Sequence, residues 1–432
     1  MTLSRRNALI LAAGFGAMPI AARAAPTLAA NAEADQTAAL QAAIDIAARL
    51  GQPVVLPAGT IRTGPLTLRP GTQLIGTGRT VLAFTGGRAL LTGKDAARLT
   101  LANLTLEGAW RPLASGGGLV ALSGCADLVI DGVTVREAAG HGITVSGCSG
   151  RIQAVAIEKV ADAGLFALDS RLTVSGCAID TCGNNGILVW RSSPAEDGSQ
   201  VTGNRISRVR ADGGGTGQNG NGINVYRAGG VMVAGNTITD CAYSAVRGNA
   251  ASNIAITGNT CARIGEVALY AEFGFEGALI ANNIVDRAAT GISVTNFNEG
   301  GRLAVVQGNL IRNLFRREHE PVDTRGHGIA VEADTVVNGN TIEGAPTAGI
   351  LVGWGRYVRD VSVTGNLIRG SRSGVLISAD PGGGSVLVQA NLIAGASDGA
   401  IRAHDKGRVF GPDLAREPDT KGRVTISGNA VS

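Results

Sequence analysis

Aromatic side chains are scarce in this chain, 3% of its 432 residues, and charged ones make up only 17%, with a formal net charge of +4. Its arginines and lysines are scattered among acids with no basic run, so no nucleic-acid partner is expected. The small positive balance suits an acidic polymer without demanding one. Beyond the N-terminus no apolar stretch is long enough to cross a bilayer, so no membrane span is expected. No sustained 3.6-residue pattern follows the N-terminal segment, which excludes a helical fold. Cys and His fall too far apart for a recognisable zinc site. Neither a Gly-rich phosphate loop nor a nucleophile elbow occurs. What the chain has in quantity is glycine, 64 residues, together with 44% hydrophobic residues. That mixture directs attention to internal repeats.

The N-terminus reads MTLSRRNALILAAGFGAMPIAARAAP: a short basic region, an apolar run from Ala8 to Met18, then Ala22-Arg23-Ala24. This is the layout of an export signal, assigned to residues 1–24, with an apolar run too short for an anchor. Arg5-Arg6 after Ser4 resembles a twin-arginine signal, which exports folded proteins. Ala8 stands where that motif usually carries Phe, so the general secretory route stays as the alternative. Either way the expected location is periplasmic or secreted.

Two signatures alternate along the chain. One is a Gly-Asn turn or near variant between short β-branched runs, as in VTGNRI, VAGNTI, ITGNTC, LIANNIV, VNGNTI and ISGNAV. The other is a glycine-led strand, as in GITV from Gly142, GLFA from Gly164, GILV from Gly186, GINV from Gly222, GISV from Gly291 and GIAV from Gly328. Gly142, Gly164 and Gly186 are 22 residues apart, and longer gaps are single coils carrying an inserted loop. This spacing predicts an all-β fold, a single-stranded parallel β-helix of three-strand coils over residues 52–432. Asn tolerates the left-handed backbone and its amide can bond the Asn of the next coil. Asn204, Asn236, Asn259, Asn309, Asn340, Asn366 and Asn391 are therefore assigned to a structural ladder. In the segment 25–51, Asp35 is the expected N-cap of a capping helix, Leu40, Ala43, Ile44 and Ala47 its apolar face, and Gly51 its stop.

That N-terminal segment, DQTAALQAAIDIA followed by VVLPAGTI, resembles the opening of pectate-lyase-like right-handed parallel β-helix proteins. With the Gly-Asn coils the likeness spans nearly the whole mature chain. The twin-arginine signal joined to such coils also resembles a bacterial family of exported (Tat-translocated) repetitive β-helix proteins, which implies a fold and a route rather than a reaction. The right hand follows from the likeness and from the usual crossover rule.

Six cysteines in an exported chain raise the question of disulfides. Cys125 and Cys148 occupy matching places in LSGC and VSGC on neighbouring coils, so a bridge is geometrically possible; the alternative is that all six are small buried side chains.

With Ile and Val of Gly-Ile-x-Val inward, positions two and four after the glycine face outward. The fourth position gives a column containing Trp190, Tyr226, Asn249, Tyr270, Thr295 and Glu332, with the register less defined where coils near Ala245 and Glu266 lack the leading glycine. Eight rings cluster near these exits: Trp190, Tyr226, Tyr270, Phe273, Phe275, Phe297, Trp354 and Tyr357. Among them stand Arg191, Arg227, Arg247, Glu272, Asn296, Asn298, Glu299, Glu332, Asp334 and Arg356. Exposed rings beside charged and amide groups suit a sugar chain, whose apolar faces stack and whose hydroxyls and carboxylates take directed hydrogen bonds. The bland alternative is that the rings finish the solenoid's outer layer under its loops. Insertions at 207–221 and 312–327 precede coils of this patch and could wall it.

GHGITV and GHGIAV resemble the Gly-His-Gly strand start of polygalacturonase-type glycosidases. The aspartates that family sets on preceding coils are missing, so His141 and His327 are read as parts of a Gly-rich turn. A polysaccharide lyase or C5-epimerase fits better, acting on an acidic polysaccharide by abstracting the uronate C5 proton. The candidate catalytic residues are Tyr226, Arg227, Glu272, Glu332 and Asp334. Binding falls to Trp190, Arg191, Asn224, Tyr270, Asn296, Phe297, Glu299, Trp354 and Arg356. Arg227 or Arg356 would clamp the carboxylate, and Tyr226 or Tyr270 would move the proton. Glu272, Glu332 and Asp334 are a conceivable calcium set, although two coils separate the first from the others. The other readings are a non-catalytic polysaccharide-binding or structural envelope protein, and a glycoside hydrolase using Glu272 and Glu299. The last coil, ISGNAVS, leaves a strand edge, to be covered by the insertion His404 to Arg423 or by another subunit.

Overall fold

Short runs of β-formers separated by Gly-Asn turns cannot bury an apolar face alone, but stacked in register they enclose a continuous core. The computed structural model describes residues 28–215, 217–317, 326–416 and 422–432, and the expected signal peptide lies outside the described residues. The chain winds into about 13 coils of parallel strands. A typical coil carries a glycine-led strand such as His141–Ser146, a second such as Ser149–Gln153 and a third such as Ala156–Val160. Each pairs in parallel with its counterpart one coil on, for example Ile143 with Leu165, Ile152 with Val174 and Ile157 with Ile179. Three parallel sheets result, here the first, second and third in order along a coil. The inward Ile and Val of the glycine-led strands, such as Ile223, Val225, Ile329 and Val331, are buried as the alternation requires.

The turn between the second and third sheets is the Asn ladder. From Asn204 to Asn391 each ladder Asn donates its backbone N–H and its Nδ2 to the Oδ1 of the next, at 2.9–3.0 Å. The residue before it is often a glycine at φ near 64°, as at Gly203, which a Cβ would strain. Asn283 and Asn429 belong to the same ladder. Toward the N-terminus the ladder passes to smaller groups: Cys148 N–H donates to Ser170 Oγ and Cys125 N–H to Cys148 Sγ. All six cysteines are free and buried, so the Cys125–Cys148 alternative resolves in favour of buried thiols.

The capping helix spans Thr37–Leu50, buries Leu40 and Ile44, and ends at Gly51 in the left-handed conformation. Its cap differs by one residue from expectation. Gln36 occupies the N-cap without a side-chain bond to the helix, while Asp35, one residue earlier, accepts from both the N–H and the hydroxyl of Thr37. At the other end the insertion folds back on the solenoid. Ile401–Asp405 and Arg408–Phe410 form an antiparallel hairpin, Asp413 accepts from the N–H groups of Ala400 and Ile401, and Leu414 N–H donates to Ile401 O. The insertion thus takes the pairing that another first-sheet rung would make.

Candidate functional site

The exits of the first sheet carry the chemistry, and the register there corrects the sequence column. Tyr226 pairs with Asn249 and Asn249 with Glu272, while Tyr270 pairs with Arg247 and, on the next coil, with Ser293. Tyr270 therefore sits at the second position after the strand start, not the fourth, and Glu272 takes the place expected for it. The cause is the continuous strand Thr260–Glu272, which runs through the corner without the leading glycine that marks the register elsewhere. Phe275 is a further correction: it is fully buried in the core and belongs to no surface patch.

Two groups of site residues separate along the column. The first is built of rings: Phe166, Trp190 and Tyr226 contact edge-on at centroid distances of 5.3 and 5.5 Å, and the Arg227 guanidinium lies 4.7 Å from the Tyr226 ring. Edge-on packing suits the quadrupoles of the rings. The cations here are engaged. Arg191 donates to the buried Asp197 at 3.2 Å, and Arg227 to Ser192 O at 3.1 Å. Asn224 is buried, contrary to its expected exposure, on a strand where it pairs with Arg247; its Oδ1 has no partner among the described residues. The Gly217 backbone lies directly on the Arg247 guanidinium, which shows how close the 207–221 insertion comes.

The second group lines a pocket of about 220 Å³ between the coils that start near Glu266 and Gly349, formed by Tyr270, Ser293, Asn296, His327, Glu332 and Trp354 with their neighbours. Glu332 is its acid. One carboxylate oxygen accepts the Phe297 N–H at 2.7 Å, at a corner where Asn296 adopts φ 68°. Burial pushes the Glu332 carboxyl up to about 7 against the pull of those backbone N–H groups. Thr290, 2% exposed, also lines the pocket, and its Oγ1 has no partner among the described residues. His327 lines it too, buried, so the residue read as part of a Gly-rich turn faces the pocket. The one sequence signal for it was the Gly-His-Gly start. His141, in the same motif, instead accepts from Ala163 N–H and faces Asp162 at 3.5 Å.

The remaining acids do not join Glu332. Glu272 is 2% exposed and held by Arg247 Nε at 2.6 Å and Nη2 at 3.0 Å, with Asn249 as a third donor. Asp334 accepts from Arg359 at 2.8 and 2.6 Å and from Arg302 at 3.0 Å, and these guanidiniums, Arg359 first, hold it below the usual carboxylate range. Both are therefore ion-pair partners, and the expected calcium set is not assembled: among the described residues no three His, Cys, Asp or Glu side chains gather closely enough to hold a metal. Glu299 is exposed on the short 3-10 turn Phe297–Glu299. Phe297 is covered by the Arg359 guanidinium at 4.5 Å, and Arg356 lies 5.6 Å from the Tyr357 ring. Tyr226 and Glu332 are four rungs apart in one column, about 19 Å on the usual rung spacing, too far to act on one bond.

Residues 195–368 match the family described as right handed beta helix region, and residues 114–263 match that described as periplasmic copper-binding protein (NosD). Among curated proteins none matches the sequence. Among solved structures, a mutant tailspike protein of E. coli bacteriophage HK620 is similar at 13% identity and TM-score 0.54, over 93% of this chain and 75% of that one. A mutant of that tailspike in complex with a pentasaccharide gives TM-score 0.51 over the same shares, again at 13% identity. PfbA, a surface adhesin of Streptococcus pneumoniae, is similar at 16% identity and TM-score 0.50, over 79% of this chain and 89% of that one. At these identities the likeness concerns the fold. Among the described residues no helix is long and apolar enough to cross a membrane. The strand register and the family matches together make this chain a right-handed parallel β-helix protein.

Proposed function

We propose that the protein is an exported, carbohydrate-active β-helix protein that binds an acidic polysaccharide along the first-sheet exits and cleaves or epimerises it in the Glu332 pocket. The observation that carries this reading is a carboxyl group pushed up to about 7 in a pocket it shares with Tyr270. A base near neutral pH is what abstraction of a carbon-bound proton needs. In the lyase form, the Glu332 carboxylate takes the uronate C5 proton, the C–H pair becomes the C4–C5 double bond, and the C4–O bond breaks. The Tyr270 hydroxyl protonates the departing oxygen. In the epimerase form the bond to oxygen stays and the proton returns to C5 from the other face. Asn296, Ser293 and Thr290 would donate to the substrate carboxylate, in place of Arg227 and Arg356, which lie outside the pocket.

A two-carboxylate hydrolysis has less support, because among the described residues lining the pocket Glu332 is the single carboxylate. Copper, which the NosD description names, does not fit this chain's residues either. The thiols inside that matched segment are interior, and burial pushes those of Cys182 and Cys261 up to about 12. The same description names a periplasmic family, which agrees with export of this chain to the periplasm or beyond. The twin-arginine route is the proposed one.

The second reading is non-catalytic polysaccharide binding. It draws on the Trp190–Tyr226 patch, whose nearby acids, Asp197 and Asp169, are bound to Arg191 and Ser192. The test is to incubate the mature protein with a panel of acidic polysaccharides and follow ultraviolet absorbance of unsaturated product and hydrogen exchange at C5. Either signal, lost in Glu332→Gln, establishes the catalytic reading. Tight binding with neither signal replaces it by the second.

A further inference from the structure

The first sheet continues past the Glu332 pocket. Its outward column runs Tyr270, Ser293, Ala330, Leu351, Leu376 and Arg402, each paired with the next. The Glu332 pocket takes the first four positions. Trp354 and Val409 then pack over Ala330, Ala348, Leu351 and Leu376 as an apolar saddle. Beyond it opens a cavity of about 670 Å³ lined by Arg372, Arg402, Arg408, Ser373, Thr347 and Asp398 among others.

Three guanidiniums and one carboxylate line it. Asp398 reaches Arg402 at 3.2 Å and Arg372 at 3.8 Å, and Arg408 has no ion-pair partner among the described residues. Arg316, donating to Thr347 Oγ1 at 3.0 Å, brings a further cation to the rim; its pKa is lowered by burial first and by the charge of Arg372 second. The cavity also contains donors with nothing to donate to. Ser373 is 1% exposed and lines the cavity, and its Oγ, like Arg402 Nε, has no partner among the described residues. Excess positive charge around a buried, unpartnered hydroxyl is the donor set of an oxyanion site, since planar guanidinium forks match carboxylate and sulfate oxygens.

We propose that this cavity binds one oxyanion, a carboxylate or a sulfate group of an acidic glycan, and holds the chain whose reactive sugar occupies the Glu332 pocket. Arg402 stands three rungs beyond Ala330 of that pocket, about 14 Å on the rung spacing, so one extended chain can reach both. The source of the anion rests on the glycan reading above; the anion site itself does not.

Calorimetric titration of the mature protein with sodium sulfate and with sodium acetate at low ionic strength tests it. Both ions are expected to bind, at least tenfold more weakly in Arg408→Gln and in Ser373→Ala, and unchanged in Glu332→Gln. The tighter ion distinguishes a sulfated from a uronic glycan. Arg408 is exposed and Ser373 is small, so neither variant threatens folding. Failure of the wild-type protein to bind either ion, or equal binding by Arg408→Gln, overturns the proposal. Ion binding that depends on Arg408 in a protein yielding no product would leave this site standing while the catalytic reading falls. On any polysaccharide that does react, Arg408→Gln is expected to raise KM about tenfold at unchanged kcat, and an unchanged KM counts against the site.

Discussion

At the turn between the second and third sheets, each coil from Asn204 onward offers its neighbour the same atom, an Asn Oδ1. At the exits of the first sheet, successive coils present Trp190, Tyr226, Asn249 and Glu272, all different. The ladder is closed: each internal Asn donates twice to the next Asn and once to a backbone carbonyl, and accepts twice from the previous one. The outward side of the first sheet is open, with Asn224 Oδ1, Trp190 Nε1 and Thr290 Oγ1 buried and unpartnered among the described residues. In a solenoid, repetition is what lets a buried polar side chain satisfy itself, because its partner is its own counterpart one rung on. Where the repeat is abandoned, the polar groups are left for something outside the chain.

The contrast breaks most visibly at Glu332. If the exits do chemistry, Glu332→Gln keeps the shape and the Phe297 N–H contact but removes the base. The expected loss in kcat on a reactive acidic polysaccharide is about 10² to 10⁴-fold, the range for general base catalysis. Circular dichroism and urea midpoints near pH 4 should be unchanged. A Gln variant that turns over normally would return Glu332 to the class of merely buried acids.

On the ladder side the effect should be on stability alone. In Asn283→Ala, the N–H and Nδ2 of Asn259 lose their acceptor, and Ile256 O and Asn309 Oδ1 lose a donor. Leaving such groups buried and unmade costs about 2–4 kcal/mol in all, read as a lower urea midpoint. Asn429→Ala, at a part-exposed rung where water replaces the partner, should cost about 1 kcal/mol or less. Equal losses at both positions would mean that burial does not set the ladder's worth.

The same difference decides how much could be read from residue order. The ladder and the capping helix were legible because each contact joins residues at the same place in successive repeats, so spacing alone identifies partners. The exits were partly legible: Tyr270, Asn296, Glu332 and Trp354 do share one pocket. What spacing did not reveal depends on contacts between unlike residues. Glu272 and Arg247 meet across 25 positions in a coil without its marker glycine, and that pair removes Glu272 from the site. Phe275 turns inward at a corner where alternation gives no guide. His327 looked like a turn residue because the acids expected beside it were missing, yet its pocket supplies an acid from the strand exit instead.

The raised Glu332 carboxyl gives a pH test of the open side. In the unfolded chain its pKa is near 4.5 and in the folded protein about 7, so the folded state holds the proton more tightly. Its contribution is therefore fully present below pH 4.5 and lost as pH rises toward 7, by about 2–3 kcal/mol. Urea midpoints of the wild-type protein should fall across that window relative to Glu332→Gln, which cannot titrate. Parallel curves would place the carboxyl in ordinary solvent.

The smallest effect is expected at the ring patch, and it separates holding from cutting. Trp190 and Tyr226 pack on each other edge-on, so removing one ring exposes part of the other and leaves the inward core of Val189 and Val225 intact. Trp190→Ala and Tyr226→Ala should each weaken polysaccharide affinity about threefold to tenfold, or about 1 kcal/mol, the usual worth of a part-exposed stacking ring. Turnover at saturating substrate should not change, because Tyr226 lies four rungs and Trp190 five rungs from Glu332, about 19 and 24 Å on the rung spacing. A double variant should lose less than the two single losses combined, since each ring supports the other. If affinity is unchanged in both single variants, the rings belong with the ladder as self-satisfied frame, and the binding surface contracts to the pocket around Glu332.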